Sequence, residues 1–217
     1  MALVLYAHPF ASYCQKVLIA LYENGTGFTF RMLDDEKGFA ELEALWPHKK
    51  FPVLVDGDAT LIESSVIIEY LMLHYLGPVQ LIPENPEAAL HTRFMDRFFD
   101  NYVMTPMQKV VGDSLRVPAN RDPVGVAAAK TELDISYRWL DSAMQNRTWA
   151  AGENFSLADC AAAPSLFYAD WVHEIAQQFV NVRAYRARLL ARPSIVRVVN
   201  EARPYRNLFP LGAPDRD

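Results

Sequence analysis

The stretch "WPHKKFPVLVDGDATLIESSVIIEYL", Trp46 to Leu71, decides the fold. Val53-Leu54-Val55 and Thr60-Leu61-Ile62 are short runs of strand formers on either side of Asp56-Gly57-Asp58. That turn chemistry predicts a hairpin. Ser64 then opens a segment whose apolar residues Val66, Ile67, Tyr70, Leu71 and Leu73 keep helical spacing, ending near Gly77-Pro78. Pro52 stands directly before the first strand, a placement that suggests a cis Phe51-Pro52 bond. Such a bond turns the N–H and C=O of Phe51 outward, where a peptide-like ligand can pair with them as an added strand.

The same grammar extends toward the N-terminus. Leu3-Val4-Leu5-Tyr6 reads as a buried strand, and Cys14, Val17, Leu18, Leu21 and Tyr22 recur on one helical face until Gly25 stops the helix. Phe28 to Leu33 reads as a second strand, so the order is βαβ, a loop or short helix, then ββα. Beyond Pro86 strands vanish, and helical segments follow one another between Pro106, Pro118, Pro123, Gly152 and Pro193. "GPVQLIPENPE" holds three prolines in eleven residues and continues neither pattern. We therefore expect an α/β domain over 1–77, a linker over 78–86 and an all-helical domain over 87–217.

Composition narrows the function classes. A chain of 217 residues that is 51% hydrophobic can bury a full core, while a formal charge of −5 and a pI near 5.6 offer no basic field to nucleic acid. No run nears the roughly 20 apolar residues of a membrane span, and "MALVLYAHPF" has no basic leader pattern. Two cysteines, Cys14 and Cys160, are too few for a disulfide framework, which fits a reducing, cytoplasmic location. The five histidines have no metal-ligand spacing, so no metal is expected.

Three short stretches carry residues suited to chemistry. At the turn from Tyr6 to Cys14, free N–H groups at a helix start favour an anion such as a thiolate. Lys49-Lys50-Phe51-Pro52 joins two cations to the expected strand-pairing backbone. Glu63-Ser64 brings a carboxylate, a hydroxyl and free N–H groups to a second helix start, a set able to grip an amino-acid head group bearing both charges.

At these residues the chain resembles the cytosolic glutathione transferase family. "HPFASYCQKVLIAL" is similar to the family's first turn and helix, the Trp46–Leu71 stretch to its glutathione-site run, and "FSLADCAAAP" to its helical-domain capping box. The resemblance covers nearly the whole chain. It implies a thioredoxin-like N-terminal domain, an all-α C-terminal domain that supplies the electrophile pocket, and a homodimer. It also implies that glutathione thiolate is added to a small apolar electrophile, with no nucleic-acid or membrane partner. Glutathione-dependent isomerisation or dehalogenation, a binding or regulatory protein of the same fold that has lost activity, and a structural dimer module are the other readings.

Carried over by position, Phe51 meets the cysteinyl backbone of glutathione, Pro52 is the cis-proline, Glu63 and Ser64 hold the γ-glutamyl group, and Lys49 or Lys50 meets the glycine carboxylate. Lys49 stands where the commonest pattern has glycine, and Trp46 where it has asparagine. Ala11 occupies the position of the usual thiol activator, so Ser12 and, as a second donor, Tyr6 become the candidates. Phe10, Tyr13, Tyr102 and Met104 are the expected lining of the electrophile pocket.

Several of these residues carry a plainer reading. Ser12 with Gln15 is also an S-x-x-Q capping box, so its hydroxyl serves helix, ligand or both. Tyr6 and Cys14 lie on apolar faces and read as packed residues first. Ser156-Leu157-Ala158-Asp159 reads as a capping box that starts a core helix. The arginines of "VRAYRARLLARPSIVRVV" read as a solvated face. For the dimer, the helix around Asp96 and Asp100 is expected to meet its own copy or the neighbouring thioredoxin-like half.

Overall fold

The computed structural model describes residues 3–217; Met1 and Ala2, which begin the "MALVLYAHPF" stretch read for a leader, lie outside them. Four strands form one mixed sheet in the order β2-β1-β3-β4: β1 Leu3–Ala7, β2 Phe28–Met32, β3 Val53–Asp56 and β4 Ala59–Leu61. β1 runs parallel to β2 and antiparallel to β3, with Leu5 opposite both Phe30 and Leu54. Gly57 closes the β3-β4 hairpin at a φ of 59°, a value that glycine adopts without steric cost. Gly25, at a φ of 60°, ends α1 (Ser12–Glu23), and the following Thr26 N–H closes the helix on the Leu21 carbonyl at 3.0 Å. α1 and α3 (Ser64–His74) contact each other on one side of the sheet. α2 (Glu36–Leu45) supplies Leu42 to a separate cluster with Leu33 and Val53. This is the thioredoxin-like arrangement, and a helical domain follows it.

The helical part consists of α4 (Pro86–Phe98), α5 (Thr105–Ser114), α6 (Pro123–Ala143), α7 (Leu157–Val172), α8 (Val180–Leu190) and α9 (Pro193–Ala202). α7 is apolar nearly all round and becomes the central helix, buried from Leu157 through Asp170. Its capping box forms as expected: the Ser156 N–H donates to Asp159 Oδ2 at 2.9 Å, and Asp159 Oδ1 accepts from the Ala150 N–H and the Tyr185 hydroxyl. The main core is continuous between the two parts, because α1 packs on α7 and their apolar residues share one cluster.

Two features depart from the sequence reading. Pro106 was read as punctuation, yet α4 and α5 are joined by a π-helical segment, Phe99–Met104, into one helical run from 86 to 114. A proline inside a helix leaves the carbonyl four residues back without its donor. Here that carbonyl, Tyr102 O, accepts from Ser136 Oγ of α6 at 2.8 Å, and Thr105 Oγ1 donates to Asp100 O at 3.0 Å. Ser136 replaces the donor that the backbone lacks at Tyr102, while the Asp100 carbonyl also keeps the Thr105 N–H. The second departure is at the chain end, where a 3-10 turn over Arg203–Leu208 leads Phe209 into the core and Asp217 back to Arg203 and Arg206. Among the described residues no helix is long and apolar enough to cross a membrane.

Candidate functional site

The turn after β1 presents its helix end openly. Ala11, not Ser12, is the N-cap of α1, and no side chain caps that end. The capping-box reading of Ser12 and Gln15 is thereby corrected: Ser12 is the first helical residue, one position too late to cap. Gln15 reaches elsewhere, its Nε2 donating to Pro9 O and to the Tyr168 hydroxyl, each at 2.9 Å. The first N–H groups of α1 lack intrahelical partners and carry the positive end of its dipole.

Two adjoining cavities meet at this turn. The larger, about 600 Å³, is mostly apolar; Phe10, Ser12, Tyr13 and Phe51 face Met107 and Val111 of α5, Tyr168 of α7 and Phe209 of the C-terminal segment. The smaller, about 260 Å³, is polar and holds Pro52, Glu63, Ser64, Arg97, Asp100 and Asn101. Tyr13, Lys50, Phe51 and Gln108 line both, so a ligand at Phe51 reaches either side. The Phe51-Pro52 bond is cis. Glu63 takes a φ of 67° and Lys49 a φ of 53°, the left-handed region that side chains avoid, so two strained residues frame the site. Lys49 lines the apolar cavity with its ammonium 2.7 Å from Glu43, and Lys50 stands at the junction.

Beneath the polar cavity lies a buried charge cluster. Lys16 Nζ, on a residue only 1% exposed, sits 2.6 Å from Asp96 Oδ1 and 2.8 Å from Asp100 Oδ2 and Ser65 Oγ. Arg97 contributes a second cation to the same two carboxylates. Burial raises the Asp100 pKa, and Lys16 opposes that rise. Asp100 Oδ1 is buried and accepts no hydrogen bond among the described residues. The Tyr13 phenol is pushed up to about 12, first by burial and then by the Asp100 charge, so it remains a proton donor throughout the neutral range.

Tyr6, Tyr102 and Met104 fall outside the site. Tyr6 packs with Leu33, Leu42 and Val53 and borders neither cavity, because β1 turns alternate side chains to opposite faces. Tyr102 is half exposed against Phe98, and Met104 is buried in the core; the π segment carries both away from the cleft and leaves Met107 there instead. Asp96 and Asp100 point inward to Lys16, while Leu90 and Phe94 of the same helix are exposed. Cys14 is fully buried, and burial pushes its thiol up to about 12, offset in part by a hydrogen bond that its sulfur accepts from the His8 backbone. It packs and does not react.

The site also includes Trp46, Arg97, Asn101, Gln108, Met107, Tyr168 and Phe209, none of which the sequence marks as site residues. Among the described residues no group of three His, Cys, Asp or Glu could hold a metal ion.

Comparison with known proteins agrees with this geometry. The glutathione S-transferase N-terminal domain matches residues 5–78, and the glutathione S-transferase C-terminal domain matches residues 93–193. Human glutathione S-transferase theta-1 is 32% identical over 187 residues, covering 77% of this chain and 73% of that protein. A stringent starvation protein A homolog from Coxiella burnetii is 28% identical over 165 residues, covering 76% and 75%. A crystal structure of a glutathione S-transferase from Methylobacillus flagellatus, solved with glutathione bound, is 25% identical with a TM-score of 0.79, covering 91% of this chain and 98% of that one.

Proposed function

The chain belongs to the glutathione S-transferase family, and from that premise we propose that it binds glutathione across the two cavities and transfers its sulfur to a small apolar electrophile. Glu63 and Ser64 hold the γ-glutamyl head in the polar cavity. The backbone of Phe51, ahead of cis Pro52, pairs with the cysteinyl unit, and Lys50 or Lys49 meets the glycine carboxylate. The thiol then lies at the start of α1, where Ser12 Oγ and the helix N–H groups stabilise its anion. The sulfur proton leaves to solvent, the thiolate forms a bond to the electrophilic carbon, and that carbon's leaving group departs with its electron pair. No bond to the enzyme is made. Phe10, Tyr13, Met107 and Tyr168 receive the electrophile.

The observation that carries this reading is the uncapped start of α1, with Ser12 facing the apolar cavity next to a polar one. The experiment is twofold: calorimetric titration with millimolar glutathione, and a conjugation assay with an aryl halide. Binding with turnover is expected. Binding without turnover leaves the second reading, a regulatory binding protein, which Ala11 and the likeness to stringent starvation protein A homologs favour. Absence of binding removes both.

The proposal extends to assembly and location. Val66, Leu73, Leu90, Phe94 and Trp139 are exposed apolar side chains of α3, α4 and α6, and a second copy is their natural cover. Light scattering at micromolar concentration should give a dimer mass. The two buried, free cysteines suit a reducing cytoplasm.

A further inference from the structure

The polar backbone groups of the turn ahead of Ser12 are held by named partners within the protein. The Phe10 N–H donates to His8 Nδ1 at 3.2 Å, and the Ala11 N–H to His8 O at 3.0 Å. Pro9 O accepts from Gln15 Nε2 at 2.9 Å. Phe10 O accepts from the hydroxyl of Tyr168 at 2.8 Å, across 158 residues of sequence. That hydroxyl in turn accepts from Gln15 Nε2 at 2.9 Å, so its one proton and one lone pair are both committed, and the direction of each bond is fixed. Burial holds the Tyr168 phenol far above its usual pKa, so it always has the proton to give. Its ring meanwhile packs edge-on against Phe10 at 5.5 Å and lines the apolar cavity.

The geometry points to Tyr168, acting with Gln15, as the positioning residue of the thiol turn: the helical domain sets where Ser12 and the α1 N–H groups stand by holding the Phe10 and Pro9 carbonyls. The catalytic part of the inference rests on the function proposed above. The peptide between Phe10 and Ala11 leads directly into Ser12, so releasing the Phe10 carbonyl leaves that plane held only by the Ala11 N–H bond to His8 O and lets it tilt, which misaligns the donors that face the sulfur. Leaving a buried carbonyl without its donor is costly, and the turn relaxes toward water to recover one. Misplacement on the ångström scale is enough to reduce a rate that depends on aligned donors. Tyr168→Phe keeps the ring that lines the electrophile cavity and removes only the hydroxyl.

Two readouts test this on the intact protein. Without ligand, amide hydrogen exchange at residues 10–13 should quicken about tenfold in Tyr168→Phe, while the β3-β4 hairpin stays as in wild type. With glutathione, the bound thiol should titrate at higher pH, and kcat should fall by roughly ten- to a hundredfold with KM for the aryl halide within about twofold. That loss should shrink when Ser12 is already alanine, since one of the aligned donors is then gone and only the α1 N–H groups remain to be misplaced. Unchanged exchange overturns the inference, and so does quickened exchange with wild-type thiol titration and kcat. If wild type forms no thiolate, the function proposal fails and the exchange readout alone decides whether Tyr168 holds the turn. Should Tyr168→Phe not fold, Gln15→Met removes the Pro9 bond and one Tyr168 partner; a folded Gln15→Met with wild-type exchange at residues 10–13 equally overturns it.

Discussion

The polar and apolar cavities are built in opposite ways. The polar one draws its cis-proline, carboxylate and hydroxyl from a single run, Phe51 to Ser64, and is completed by Tyr13 of α1, Arg97 of α4, Asp100 and Asn101 of the π segment and Gln108 of α5. The apolar one is assembled from the α1 turn, α5, α7 and the chain end, segments up to 200 residues apart, Phe10 facing Pro210. A local run is held in place by its own hairpin and helix start. A wall made of distant segments is held by packing between domains, so its shape is free to change while the polar side stays the same.

The difference predicts where substitution hurts most. Lys16 ties α1 to α4 beneath the polar cavity, and Lys16→Met leaves two buried carboxylates with only the half-exposed Arg97 for company. Removing one partner of a buried ion cluster costs about 3 kcal/mol or more, so thermal unfolding should begin roughly 6–12 °C lower. A loss under about 1 kcal/mol would mean that the cluster contributes little to joining the domains. Glu63→Ala comes next. It removes a charged partner of the ligand ammonium worth about 1.5–3 kcal/mol, and calorimetry should find glutathione affinity reduced by roughly ten- to a hundredfold. Stability should hardly change, since Glu63 sits at a strained φ of 67°. Affinity within twofold of wild type would take Glu63 out of the site and break the contrast.

A smaller effect concerns the shared turn. Burial lowers the His8 pKa, and the Asp34 charge only partly restores it. Its folded value therefore lies below the unfolded value of about 6.5. The unfolded chain binds more protons in the window between the two, so the His8 contribution is complete above about pH 6.5 and is lost as pH falls toward the folded value. Protonation also removes the acceptor for the Phe10 N–H. Unfolding free energy measured against pH should flatten in that window in His8→Asn, and an unchanged slope would exclude His8 as its source.

The polar side was legible because its signals are local. Asp56-Gly57-Asp58, Phe51-Pro52 and Glu63-Ser64 each specify a turn, a bond or a helix start within a few residues, and the sheet and the cis bond formed where they pointed. The apolar side was not. Phe10 and Tyr13 do line it, but Tyr102 and Met104 do not, because the π segment at Phe99–Met104 shifts the helical face, and i-to-i+4 counting cannot anticipate that shift. Tyr168 looked like any core aromatic of an apolar helix, since only the folded chain brings its hydroxyl to Phe10. Ser12 misled in a third way: S-x-x-Q is a genuine capping pattern, but the helix begins at Ser12 itself, one residue earlier than that pattern requires.

The proposed chemistry turns on the sulfur at the start of α1. The most direct measurement is the ultraviolet absorbance of bound glutathione thiolate against pH, in wild type and in Ser12→Ala. Wild type should ionise the thiol near neutrality, below the roughly 8.5 of a free thiol. Ser12→Ala should raise that midpoint and slow conjugation roughly ten- to a thousandfold, with glutathione affinity little changed. A wild-type midpoint no lower than that of free glutathione, or a Ser12→Ala midpoint equal to that of wild type, would contradict the claim.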